Sequence, residues 1–288
     1  MVTFLQQLAN GLIEGSLYAL LGIAITITFG LTGIVNFAYG AFLALGAYIM
    51  YAISTGSIAS FVFGIVVAAA LVGALNGLGE RALFRRTLGR PIAGFLISTG
   101  IILICESALE IRWGANPLIA HVPLDGLVHI GPVELPGNQI VVLIIAVLST
   151  VGFCAFLYGT TIGCAIRSIA MDREAADLVG IPVATYRTVL FVLAGIVVAI
   201  AGALLTASNA LTPFMGDDLL LKGFAVALIG GLGSVPGAVA MSYLLAIVEA
   251  YCIQAGLGGW VDVGFFALTI CVLLLRPQGL GRGVEVGV

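Results

Sequence analysis

Apolar residues arrive in nine runs along this chain, near 8–28, 34–53, 58–78, 92–111, 140–158, 188–207, 219–229, 238–253 and 261–275. Polar residues are confined to the short segments between them. A helix that is apolar around its whole circumference is buried in a large core or spans a membrane. At roughly 20 residues per crossing, the pattern predicts about eight or nine spans. The expected fold is therefore all-α: a polytopic integral membrane helical bundle, with some helices broken or re-entrant. One transmembrane domain over 1–288 leaves no room for a separate soluble one.

Composition agrees, with 61% hydrophobic and 9% charged residues against about 25% charged in soluble domains. No basic patch with interleaved aromatics exists, so nucleic acid is excluded as a partner. Membrane lipid is the expected surroundings. The N-terminus has no basic residue ahead of its apolar stretch, unlike a cleavable signal peptide. Cys105, Cys154, Cys164, Cys252 and Cys271 form no CxxC pair and read as small hydrophobes. His121 and His129 have no metal-ligand spacing, and no metal or cofactor site is expected in this chain.

Arginines cluster at Arg81, Arg85, Arg86 and Arg90, at Arg167, Arg173 and Arg187, and at Arg276 and Arg282. Positive charge concentrates in cytoplasmic loops, which places all three clusters inside. The loop 113–138 has no Lys or Arg, carries Asp125 and Glu134, and reads as external. Counting crossings puts the C-terminus inside and the N-terminus outside. Asp217-Asp218 reads as an outer turn, after which 219–253 either crosses twice or re-enters.

No charged residue occurs between Glu14 and Glu80, although three spans lie there. The turn between the first two is Phe29-Gly30-Leu31-Thr32-Gly33-Ile34-Val35-Asn36-Phe37-Ala38-Tyr39-Gly40. Broken helix at membrane depth survives only where it is buried in protein or lines a cavity. Freed backbone groups there suit a polar or zwitterionic solute. Thr32, Asn36, Phe37, Tyr39 and Gly40, with Glu14 placed beside the break, are the candidate pathway residues. Interhelical bonding, worth about 0.6–2 kcal/mol, is the plainer reading of Asn36. Gly230–Gly237 lacks the lysine of a phosphate-binding loop and reads as a tight bend near the midplane.

Ionisable residues inside a span cost about 2.5–3.5 kcal/mol at its centre. Lys222, the only lysine, is expected to snorkel outward, and Glu110 and Arg112 to be interfacial. Glu106 and Glu249 lie deeper, where a structural hydrogen bond or ion pair competes with a solute role.

The one charged helix-forming island is Met171-Asp172-Arg173-Glu174-Ala175-Ala176-Asp177-Leu178-Val179-Gly180-Ile181-Pro182. On a 3.6-residue period Met171, Ala175, Leu178 and Val179 share one face, with Arg173, Glu174 and Asp177 on another. Gly180 and Pro182 stop the helix. The spacing predicts a cytoplasmic helix near 168–180.

Glu174-Ala175-Ala176 followed by Gly180 resembles the EAA loop of ABC-importer permeases, the element that docks on the ATPase subunit. Val35-Asn36-Phe37-Ala38-Tyr39-Gly40, Gly230-Gly231-Leu232-Gly233-Ser234 and Leu275-Arg276-Pro277-Gln278-Gly279-Leu280 follow the same pattern. Over essentially its whole length the chain resembles the branched-chain amino-acid ABC permease family, LivH type. Tyr39 stands where that family usually has histidine. The resemblance implies a non-catalytic subunit of the bacterial inner membrane that moves branched-chain amino acids, urea, amides or similar small solutes. It implies a related second permease, two cytoplasmic ABC ATPases that hold ATP and Mg, and a periplasmic solute-binding protein. Asp172, Arg173, Glu174, Ala175, Ala176 and Gly180 are then the ATPase-coupling residues.

Two rivals remain at this point. An ion-coupled secondary transporter would use Glu14, Glu106 and Glu249 to carry its ion. An intramembrane enzyme would need a zinc-binding HExxH or a serine elbow, and the chain contains neither.

Overall fold

In a computed structural model the protein is described at residues 2–33, 36–87, 90–120, 123, 126–130, 133–276 and 279–281. Ile34, Val35, His121, Asp125, Pro277, Gln278 and Arg282 lie outside the described residues. Each of the nine apolar runs is a helix: α1 (Val2–Thr32), α2 (Tyr39–Ile53), α3 (Ile58–Ala82), α4 (Pro91–Trp113), α5 (Gly137–Gly159), α8 (Val183–Leu205), α9 (Met215–Gly230), α10 (Val235–Cys252) and α11 (Val261–Leu275). Two shorter ones follow α5: α6 (Thr161–Met171), which leads up to the charged island, and α7 (Arg173–Leu178), which lies within it. Helix starts follow local chemistry. The side chains of Ser57, Thr160 and Ser234 accept a backbone N–H as caps of α3, α6 and α10, and Pro91 opens α4.

Among the described residues six stretches are long and apolar enough to cross a membrane, fewer than the eight or nine expected; α2 and α9 fall short of that length, and α10 with α11 forms one of the six. Burial separates the layers. Of the most apolar window, 83% is buried in α1 and 72% in α8, against 22% in α4. The outer helices expose Phe63, Leu78, Ile104, Leu148 and Ile270, a belt that only lipid tails solvate at no cost.

The bundle has two ends. At one, Glu134 of the antiparallel hairpin β1 (Leu127–Ile130) and β2 (Val133–Pro136) exchanges hydrogen bonds with the Gln6 side chain of α1, at 2.8 and 3.1 Å. Leu118 bridges Leu211 there, and Met215 packs on both. This is the hairpin end. At the other, Leu31 packs with Ile169, Ala176 and Val183, which makes it the α7 end.

α10 runs antiparallel beside α1, from Gly30 against Gly233 to Gly11 against Ile247. The turn joining α9 to α10 is held at the α7 end, where the N–H groups of Leu280 and Gly281 donate to Ile229 and Gly230 at 2.8 and 3.2 Å. The expected bend near the midplane therefore lies at the α7 end of the bundle; α9, of 16 residues, is not among the stretches long enough to count as a span. Gly231 and Gly233, with φ of 91° and 92°, let the chain reverse so tightly. Asp217 and Asp218 are not in a turn but in the first helical turn of α9. Carboxylates are stabilised there by the helix dipole, so a charged pair inside a helix mimics a loop in sequence.

The helix expected over 168–180 is two helices. Asp172 is extended at φ −153°, and its carboxylate accepts the Ala175 N–H at 2.9 Å. That cap restarts the chain as α7. Gly180, at φ 85°, closes it.

α2 packs through glycines. A Cβ on Gly202 would sit 2.0 Å from the Leu43 carbonyl oxygen, whereas one on Gly100 of α4 meets nothing within 4 Å. Gly202→Ala is expected to cost about 1–3 kcal/mol of overpacking, read as earlier thermal unfolding in detergent, with Gly100→Ala unchanged.

Candidate functional site

α1 stops at Thr32 and α2 starts at Tyr39, and the described residues between them, Gly33 and Asn36 to Ala38, are not helical. The Asn36 side-chain oxygen accepts the Ala38 N–H at 3.1 Å, an Asx turn that leads into α2. Tyr39 is fully buried, and its hydroxyl shares a 2.6 Å hydrogen bond with Thr28 Oγ1. Thr32 Oγ1 donates to the Thr28 carbonyl at 2.7 Å. Phe37 meets Phe95 edge-on at 5.2 Å and lies 5.9 Å from Phe224. Gly40 packs on the backbone of Gly216.

Two amides beside the Tyr39 phenol are incompletely bonded. Asn36 is 4% exposed, and among the described residues its Nδ2 has no hydrogen-bond partner. Asn76 of α3 donates to the Phe191 carbonyl at 2.7 Å, while its Oδ1 has no partner among the described residues. A buried unpaired donor and acceptor each cost about 1–3 kcal/mol, and both become available if the break opens. The arrangement is one of neutral hydrogen-bonding groups and aromatic walls, and it supplies no nucleophile–base pair.

Thr32, Asn36, Phe37, Tyr39 and Gly40 thus share one neighbourhood, but Glu14 does not. Glu14 sits on the same helix as Thr32, about 27 Å nearer the hairpin end, and faces a separate polar cavity there. An apolar run carries no depth marker, which is why sequence placed Glu14 beside the break. Glu106 lies against the Asp217 carboxyl group. Lys222 does not snorkel: its Nζ is 2.6 Å from Glu249 and 3.2 Å from Asp262.

At the α7 end, Asp172, Arg173, Glu174, Ala175 and Gly180 are exposed and Ala176 alone turns inward, onto Ile169 and Val183. Met171, Leu178 and Val179, grouped by period on one apolar face, are also exposed, Leu178 at 88%. A groove of about 500 Å³ beside α7 is lined by Arg85, Arg173, Glu174, Asp177, Ala184 and Arg187. Beneath it lies a carboxylate that sequence reasoning passed over. Glu80 is 0% exposed; it accepts Arg187 Nε at 2.7 Å and Thr188 Oγ1 at 2.6 Å, with Arg85 at 3.5 Å. Asn76 and Glu80, one turn apart on α3, were the available signal. Their partners on α8 are distant in sequence.

The family described as branched-chain amino acid transport system, permease component, matches residues 7–273. The chain belongs to this family. The permease LivH of Escherichia coli (strain K12) is 31% identical, with 97% of this chain and 96% of LivH covered. BraD of Pseudomonas aeruginosa, also named a high-affinity branched-chain amino acid permease, is 29% identical over the same shares. The fructose import permease FruF of Bifidobacterium longum is 24% identical over 95% of this chain and 76% of its own length. A branched-chain amino acid permease of this family is a non-catalytic membrane subunit without a cofactor, and ATP hydrolysis belongs to separate subunits. Relatives named for amino acids and for a sugar both match nearly the whole of this chain, so family membership alone leaves the solute open.

Removing one partner of a buried ion pair strands the other. Glu80→Ala is expected to destabilise the permease by about 3–5 kcal/mol. In thermal unfolding, Glu80→Met with Arg187→Met should lose less than the sum of the two single changes.

Proposed function

We propose that this chain is the translocating subunit of an ATP-driven importer of a small polar solute, such as a branched-chain amino acid. One observation carries the reading: a short helix, capped at both ends, leaves Met171, Leu178 and Val179 exposed beside a charged groove. Large apolar side chains held in water beside charges mark a protein contact. The partner that fits is an ABC ATPase, two of which would serve this chain and a related second permease. A solute-binding protein would deliver the solute at the hairpin end. LivH and BraD, named as parts of branched-chain amino acid transport systems, support both the partners and the solute class.

The coupling would run through packing. Ala176 rests against Val183 at the start of α8, and Leu31 at the end of α1 joins the same cluster. Glu80 ties α8 to α3. Force on α7 therefore reaches the break between α1 and α2 from both sides. ATPase closure shifts the bundle only if α7 binds the open and closed ATPases with different free energies. Opening would free the Asn36 and Asn76 amides, with Tyr39, for passing solute. Against the ion-coupled alternative, residues 7–273 match a permease family in which ATP hydrolysis belongs to separate subunits.

Arg81, Arg85, Arg86, Arg90, Arg167, Arg173 and Arg187 gather toward the α7 end, which favours that end as cytoplasmic in an inner membrane. The N-terminus would then be periplasmic and the C-terminus cytoplasmic. In a cysteine-free background, an impermeant maleimide should label Thr55→Cys from the periplasm and Arg86→Cys only after permeabilisation. The reverse pattern would invert the topology.

Glu174→Arg should abolish ATP-dependent uptake and release the ATPases on purification, with thermal stability unchanged because Glu174 is exposed. Uptake that survives the reversal would remove α7 from the coupling.

A further inference from the structure

The polar cavity at the hairpin end takes no part in the coupling described above. It has a volume of about 650 Å³ and lies among α1, α9, α10 and the chain that follows α8. Its polar lining includes Gln7, Asn10, Glu14, Asp218, Lys222 and Glu249.

One primary ammonium is already seated in its wall. Lys222 Nζ lies 2.6 Å from Glu249 Oε1 and 3.2 Å from Asp262 Oδ1, with the Tyr18 ring centroid 5.8 Å away. Tyr18 also donates its hydroxyl to Glu249 Oε2 at 2.9 Å, which fixes that carboxylate. Two carboxylates and an aromatic face are the elements that recognise an ammonium group. Asp262 is mostly exposed and Glu249 is not, so Lys222 has a solvated partner to fall back on.

The charges do not balance. Among the described residues, Lys222 is the one cation lining the cavity, and it is answered by two carboxylates. Glu14 and Asp218 line the same space with no ion pair or side-chain hydrogen bond among the described residues. Burial disfavours the charged form of a carboxyl group and a neighbouring cation favours it, so a cation entering beside these two groups is drawn to them while an anion is not. The Asn10 amide oxygen, and the Gln7 oxygen that already accepts from Asn10 Nδ2 at 3.4 Å and has a second lone pair, add neutral acceptors, which suit the remaining N–H groups of an ammonium.

We propose that this cavity is a recognition site for the ammonium group of the solute. Lys222 is its tethered internal competitor, and moves to Asp262 when a solute ammonium takes Glu249 and Glu14. The site rests on the reading that a solute enters from the hairpin end. It assigns the solute class as ammonium-bearing and disfavours sugars and simple anions.

Three probes of one size separate the charge states: propylammonium, 1-propanol and propionate. Binding to the purified full-length chain is read by saturation-transfer NMR in excess sodium chloride, so a site that takes any monovalent cation gives no propylammonium signal. Propylammonium alone should bind. Lys222→Met should tighten it about tenfold by removing the competitor, and Glu14→Gln should weaken it by a similar factor. Asp218→Asn, at an exposed position, carries the second loss should Glu14→Gln not fold. Equal binding of the three probes overturns the proposal. So does propylammonium binding that appears only in Lys222→Met, which would mark a lysine-shaped hole. ATPase co-purification does not pass through this cavity, so it reports failure of the importer reading separately.

Discussion

A charge packed between the helices of this bundle has little water to solvate it, and its desolvation is offset where another group of the same chain pairs with it. Two clusters provide such pairing, one near each end. Glu80 receives Arg187, Thr188 and Arg85 under α7, while Glu249 receives Lys222 and Tyr18 beside the hairpin-end cavity. Each cluster joins helices that are far apart in sequence. The first locks α3 to α8, and the second draws together α1, α9, α10 and, through Asp262, α11.

Between these clusters the contacts are apolar and close. α2 reaches α8 and α9 through glycines, where backbone meets backbone. Interfaces built from small residues gain from dispersion and tight approach rather than from water release, which lipid tails do not provide. They tolerate sliding better than an interlocked array of large side chains would. The break between α1 and α2 sits where such an interface meets the first charged cluster. Asn76 and Glu80, neighbours on one face of α3, connect the two: one stands beside the Tyr39 phenol, the other binds α8.

The two polar regions differ in kind. The break is uncharged, with amides, hydroxyls and aromatic rings around Tyr39. The hairpin-end cavity is charged and acidic. A path that selects at its mouth by charge and passes solute through a neutral constriction avoids holding an ion at the bundle centre, where the cost is greatest.

Sequence alone determined where the nine apolar helices lie, because a residue's transfer free energy acts locally and each run is long, but not that only six stretches are long enough to count as spans. It also determined the charged island at 171–182, the break before Tyr39, and the family to which these motifs point. The division between α6 and α7 was not legible, since Asp172 fits a helix by period and breaks it only through its cap on Ala175. Nor was the place of Asp217-Asp218, which the dipole of α9 draws into a helix that the charges seemed to interrupt. Pairing was decided by the tertiary structure alone. Glu14 shares a helix with Thr32 but faces another cavity, and Lys222, which seemed free to snorkel, is held by residues on α10 and α11. Burial energy is read residue by residue, whereas an ion pair depends on which helices are neighbours, and no local pattern in an apolar run records that.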